Sequence, residues 1–237
     1  MVVELKSYAN LSNMNKLSSS VNKELRFSAE KVGVSLTPEQ TEKLIEFNEL
    51  LNKWTKRFNL VSVNSLDNSI SRHVLDALSI GPYIQKPSDC DELHKNVYDL
   101  LDVGSGAGLP VLPLAISYPT LKFLSVEPNG KKERFQRQVI LELGLKNLDV
   151  INERIESVQR QANNVTSRAF TAPNRFLELT TEQCVPGGRG IIMLGQAERM
   201  PTSLPTPWQL DFVERLKVPG EFGERHVALC IRGTLVG

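Results

Sequence analysis

Apolar residues recur in the first third of the chain at spacings of three and four. Leu44, Phe47, Leu51, Trp54 and Phe58 form one stripe, the period of an amphipathic helix. Thr37-Pro38-Glu39-Gln40 marks its start. It offers a capping hydroxyl, a proline suited to a first turn and a glutamine at the capping-box position. A shorter helix is predicted over 21–32, ended by Gly33, and another over 69–80. From Val97 the pattern changes. Short apolar runs at 97–103, 122–126, 148–151, 165–167 and 190–194 alternate with helical stretches at 110–118, 130–143 and 173–184. That alternation predicts an α/β fold with a doubly wound parallel sheet. Residues 209–218 and 225–231 read as a closing antiparallel pair. Residues 1–20 carry no firm period and read as a flexible extension. The polar connector 83–96 marks a boundary. The chain is therefore expected to divide into a flexible or partly helical extension (1–35), a helical segment (36–96) and a sheet domain (97–237).

Composition narrows the class without naming a chemistry. A 41% hydrophobic chain of 237 residues can bury a sizeable core. The net charge of +1 excludes a global field that draws the protein to nucleic acid, so any basic surface must be local. No apolar run suits a signal peptide or a membrane span. Cys90, Cys184 and Cys230 are far apart, and the three histidines are scattered. No metal site is expected, and reduced thiols in a cytoplasmic setting are the simplest account.

The chemistry concentrates where the first predicted strand breaks. Leu100-Leu101-Asp102-Val103-Gly104-Ser105-Gly106-Ala107-Gly108-Leu109-Pro110 runs from strand through alternate glycines towards a helix. Glycines there let the backbone approach a ligand that a Cβ would exclude. The spacing is G-x-G-x-G, one residue shorter than the dinucleotide fingerprint, so a nicotinamide enzyme fits poorly. It resembles the first motif of class I S-adenosylmethionine-dependent methyltransferases, whose sheet is Rossmann-like, although a plain glycine connector is also open. Gly104, Gly106, Gly108 and Leu109 are candidate cofactor contacts. Glu127, at the end of the second strand, is placed to accept from both ribose hydroxyls. The alternative is a surface carboxylate near Lys131 and Lys132. Ile155 and Glu156, after the third strand, are candidates for the adenine, or an ordinary helix start. Arg168, after the fourth, either holds a structural ion pair or positions cofactor or base by its planar fork.

Arg72, His73 and Asp76 fall within one helical turn, as a local ion pair or a polar cluster beside substrate. Lys131, Lys132, Arg134 and Arg137 form a basic stripe, open as RNA contacts or as a solvated face. Ser167-Arg168-Ala169-Phe170 lacks the Asp/Asn-Pro-Pro-aromatic signature of exocyclic-amine methylation. No cysteine has the Pro-Cys or Thr-Cys setting of cytosine-C5 enzymes. Guanine N7 has a lone pair and no proton, so a site without proton-transfer groups suits it as acceptor.

Trp54-Thr55-Lys56-Arg57-Phe58-Asn59-Leu60-Val61-Ser62, Arg72-His73-Val74-Leu75-Asp76, the run 102–113, Gly130-Lys131-Lys132 and Ser167-Arg168-Ala169-Phe170 occur in this order. Together they resemble the RsmG (GidB) family of small-subunit rRNA methyltransferases, over residues 36–231. The resemblance implies S-adenosyl-L-methionine as cofactor and methyl transfer to N7 of a guanosine in 16S rRNA (position 527 in rRNA numbering). The partner is then 16S rRNA or the small ribosomal subunit, met in the cytoplasm; a monomer is expected. It implies cofactor contacts at Gly104, Leu109, Ile155, Glu156 and Arg168. Two departures stand out. Glu127-Pro128 replaces the family's usual Asp-Ser. Met193-Leu194-Gly195-Gln196 lacks the lysine of its usual Leu-Lys-Gly. The lost lysine motivates two alternatives: a non-catalytic cofactor- and RNA-binding module, or a methyltransferase with an altered acceptor.

Overall fold

The computed structural model describes residues 20–62, 70–85, 97–220 and 223–234, with residues 71 and 72 as backbone alone. The expected flexibility of 1–19, most of the connector and Cys90 lie outside the described residues. A seven-stranded sheet runs in the order β3-β2-β1-β4-β5-β7-β6. Its strands are β1 (Tyr98–Val103), β2 (Phe123–Val126), β3 (Leu148–Ile151), β4 (Ala162–Arg168), β5 (Cys184–Leu194), β6 (Trp208–Arg215) and β7 (His226–Arg232). The first five are parallel, and β7 joins β5 and β6 antiparallel. The order reverses between β1 and β4. Ligands of such sheets bind at the carboxyl ends beside that reversal.

Helix α1 covers 20–31, and α2 is Pro38–Phe58. Thr37 Oγ1 accepts from the Gln40 N–H, and Gln40 Oε1 accepts from the Thr37 N–H, closing the capping box. Leu44, Phe47 and Leu51 are fully buried, Trp54 is half-buried, and Phe58 is 41% exposed. The apolar stripe thus ends a turn earlier than expected, at Trp54 packed against Phe135. The expected helix 69–80 is instead a π-helical turn, Ile70–Leu75, running into the single turn α3 (Asp76–Leu78).

Helices α4 (Val111–Ser117) and α5 (Gly130–Leu143) share one sheet face with α1 and α2. On that face Leu100, Phe123 and Ile191 join Leu25, Leu44 and Phe47 in one apolar cluster. Alternate strand residues Leu101, Leu124 and Ile192 face the other way, onto α6 (Pro173–Thr180). This alternation is the period-2 rule of a strand covered on both faces. Several bounds depart from expectation, β6 ending at Arg215 rather than 218 among them. β4 begins at Ala162, because Asn164 is fully buried with both ends of its amide satisfied. Its Nδ2 donates to the Gln85 and Asp99 carbonyls, and its Oδ1 accepts from the Gln85 N–H. α6 ends at Thr180, and Cys184 already belongs to β5. Pro186-Gly187-Gly188 interrupts β5 as an irregularity, with the register moving from Ala162↔Cys184 to Asn164↔Arg189.

Candidate active site

The glycine turn after β1 is held by side chains from β2 and α5. Gln136, fully buried on α5, donates from Nε2 to Ser105 Oγ (2.9 Å) and to the Gly106 carbonyl (2.8 Å). Its Oε1 accepts from Ser125 Oγ at 2.6 Å. Ser125 and Ser105 hydroxyls meet in a short contact. A polar residue on the buried face of α5 was the sequence signal for Gln136, and sequence reasoning passed over it. Glu127 completes the frame. Its Oε2 accepts from the Gly106 N–H at 2.6 Å and its Oε1 from the Asn129 N–H at 2.8 Å. It is buried, which overturns the surface-carboxylate reading. Each oxygen keeps a second lone pair for a hydroxyl donor.

Two glycines have different reasons. Gly104 has φ +65°, and a Cβ there meets the Phe170 ring at 2.5 Å. Gly108 faces inwards, where a Cβ collides with Leu112, so it serves the packing of α4 rather than a ligand. Of the three glycines in the turn, only Gly106 has room for a Cβ, which would meet Lys132 Nζ at 3.9 Å and the Gly104 carbonyl at 4.0 Å. Its backbone is approachable from a cavity of about 740 Å³, walled by Leu60, His73, Gly104, Leu109, Lys132 and Arg168 among others. That volume suits a nucleoside-sized ligand. Glycine turn and cavity together fit a nucleoside; Glu127 walls neither cavity and lies directly behind the turn, joined to it through the Gly106 N–H.

A second cavity of about 650 Å³ opens over the ends of β4 and β5. The two share Arg168, Ala169 and Arg225. Their common wall is an ion bridge from three distant parts of the chain. Asp76 Oδ2 lies 3.3 Å from Arg168 Nε, and Asp76 Oδ1 lies 3.1 Å from Arg225 Nε. Asp76 is thus used across the fold, which revises the purely local reading of Arg72-His73-Asp76. Arg72's side chain is outside what is described. Ala169, with φ +53°, turns the chain sharply enough to send Phe170 back over Gly104.

Asp102 lies behind the glycine turn. It is fully buried, and neither oxygen accepts a well-formed hydrogen bond among the described residues. Burial pushes its carboxyl up to about 8, with the Val111 N–H drawing it down, Glu127 adding to the rise and Arg168 opposing it.

Other candidates fall elsewhere. Ile155 packs in the apolar cluster with Val103 and Val126, and Glu156 is exposed on the turn Ile155–Ser157; neither walls either cavity. In the basic stripe, Lys132 walls the first cavity and Lys131 is exposed. Arg134 Nε donates to the Gly130 carbonyl. Arg137 is committed to Glu133 and to the Val150 carbonyl, tying α5 to β3. Arg225 and Arg199 wall the second cavity and were missed by sequence reasoning, since neither stands in a motif. Among the described residues no three His, Cys, Asp or Glu side chains gather as a metal site, and no helix is long and apolar enough to cross a membrane.

The model of rRNA small subunit methyltransferase G matches residues 40–228. A ribosomal RNA small subunit methyltransferase G from Pseudomonas syringae is 38% identical over 212 residues, covering 88% of this chain and 94% of that protein. One from Stutzerimonas stutzeri is 38% identical over 222 residues, covering 92% and 99%. Among solved structures, magnesium protoporphyrin IX methyltransferase from Synechocystis superposes with a TM-score of 0.53 at 10% identity, covering 79% of this chain and 97% of its own, a likeness of fold.

Proposed function

The chain belongs to the rRNA small subunit methyltransferase G family, and from that premise we propose that it methylates N7 of a guanosine in 16S rRNA. It is an S-adenosylmethionine-dependent enzyme with a class I sheet. The observation that carries the acceptor reading is the pair of cavities joined at Arg168, Ala169 and Arg225. One adjoins the glycine turn and its acid; the other faces outwards from the ends of β4 and β5.

S-adenosylmethionine supplies an electrophilic methyl on a sulfonium sulfur. The chain's own part is to bind and to aim. Gly104, Gly106 and Leu109 present backbone and an apolar wall, and Glu127 presents its free lone pairs to the ribose. Gly108 supports this turn from behind. Ile155 and Glu156 act through the turn that borders the sheet edge rather than through a cavity wall. Arg168 is a positioning residue, its guanidinium fixed by Asp76 beside both cavities. That pairing matters because an uncompensated arginine repels a sulfonium. The acceptor nitrogen has no proton to lose, so alignment is what the rim must deliver. Lys131, Lys132 and Arg134 border the approach for RNA, His73 stands in the wall of the first cavity, and Arg72 is assigned to RNA from its place in the sequence motif.

The segments 1–35, 36–96 and 97–237 divide this work. The last holds the cofactor, and the first two shape the RNA face. The enzyme acts as a monomer in the cytoplasm, where its substrate is. Mass mapping of 16S rRNA from a strain lacking the gene tests the reading. Loss of one N7-methylguanosine, restored by the intact gene, is expected. An unchanged nucleoside map overturns it.

A further inference from the structure

The second cavity carries more positive charge than its ion bridge uses. Its walls hold three arginines, Arg168, Arg199 and Arg225, and one acid, Asp76. Asp76 gives one oxygen to Arg168 and the other to Arg225. Arg199 is left. It closes the turn Ala197–Arg199 after β5, is exposed, and has no carboxylate partner among the described residues. Across the cavity, the segment Phe170–Pro173 forms the facing wall, with the Phe170 ring 38% exposed.

We propose that Arg199 is the phosphate anchor of the acceptor nucleotide, holding an RNA phosphate at the outer rim while the base enters against Phe170. This inference rests on the RNA-methylating reading above. An arginine on a guanine ordinarily forks to O6 and N7 together. In this site that fork would occupy the lone pair the reaction needs. A free guanidinium at the rim is therefore of use to the backbone, where it forms charge-assisted, often bidentate bonds. The Phe170 ring in the same cavity offers stacking to an unpaired base, the usual way single-stranded RNA is held. The two arginines nearest the cofactor cavity share Asp76, which offsets one of their two charges, and the one farther out has no carboxylate partner among the described residues. That arrangement leaves the unpaired guanidinium at the rim for a polyanion, while the two nearer ones are held on a carboxylate.

The test uses the full chain with small ribosomal subunits as methyl acceptor, a 16S rRNA transcript as binding probe and S-adenosylhomocysteine as cofactor probe. Arg199→Ala is expected to raise KM for subunits roughly tenfold, the weight of one charge-assisted contact, with kcat within about twofold. The slope of log binding constant against log salt for the transcript is expected to fall by about 0.7–0.9, one phosphate fewer. S-adenosylhomocysteine affinity is expected to be unchanged, and Arg199→Lys is expected to recover most of the loss as a point charge. An unchanged KM and salt slope in Arg199→Ala overturns the assignment, as does a loss of S-adenosylhomocysteine binding. Both outcomes are read against a wild type that methylates subunits. A wild type that binds S-adenosylhomocysteine and transfers no methyl overturns the function itself.

Discussion

Asp102 shows what a single buried carboxyl does to the pH dependence of the fold. Its folded value is raised from 3.8 to about 8, mainly by burial. In the unfolded chain it ionises near pH 4, so between about 4 and 8 the native state holds a proton the unfolded state has released. Stability then falls as pH rises across that window, by up to about 1.4 kcal/mol per pH unit from this group. Asp102→Asn is expected to abolish that slope and to stabilise the protein at pH 7.5. Urea midpoints at pH 5, 6, 7 and 8 check it, and parallel lines for the two proteins would refute the assignment. Gly104 carries a different constraint. Its φ of +65° and the Phe170 ring 2.5 Å from an added Cβ both oppose a side chain. Gly104→Ala is expected to lose more than about 1 kcal/mol of stability and to weaken S-adenosylhomocysteine binding. The same substitution in a Phe170→Ala background removes the collision and leaves the backbone strain. Calorimetry of the two pairs separates these contributions.

Among the elements, α2 is the one whose start the sequence specifies most completely. The reciprocal Thr37 and Gln40 bonds satisfy two helix-end donors, and Gln40 Nε2 also donates to the Ser117 carbonyl at the end of α4. Thr37→Ala is expected to cost about 1 kcal/mol. Gln40→Ala should cost more, because it also frees the α4 carbonyl; thermal unfolding of both variants checks the order. Elements of this kind were legible because their signals are local. Gly130–Leu143 and Leu148–Ile151 were placed to the residue, the first with Gly144 as its stop; the Asn129 side chain that caps its start is seen only in the structure. β4 and β5 were shortened because their ends carry polar or turn-forming residues whose partners lie far away in sequence. Asn164 is a strand residue only because Asp99 and Gln85 meet its amide. The site divides along the same line. The glycine turn and Glu127 could be read from spacing. The Asp76 bridge joins residues 76, 168 and 225, and Arg199 stands in no motif, so neither could be seen before the sheet brought them together.

At the scale of the whole molecule, the helices before the sheet and the sheet itself share one core. Leu25 and Leu44 lie in the same apolar cluster as Leu100, Leu112 and Phe123. Trp54 packs against Phe135 of α5, the rings tilted at 57° with centroids 5.4 Å apart. A helical segment packed this way cannot detach without exposing the underside of α4 and α5, and α5 carries the Gln136 that fixes the glycine turn. Damage in α2 should therefore be felt on the far face of the sheet. That face has a built-in reporter: Cys184 and Cys230 are buried there, and burial pushes both thiols up to about 12. Neither reacts as a thiolate while the fold is closed. Leu44→Ala empties a fully buried site and is expected to cost about 2–5 kcal/mol. In a Cys90→Ser background, denaturant titration should show helix loss, alkylation of Cys184 and Cys230, and loss of S-adenosylhomocysteine binding at one shared midpoint, lowered together by Leu44→Ala. Helix loss at lower denaturant than thiol exposure would mean that α2 opens alone, and that the sheet keeps its cofactor turn without it.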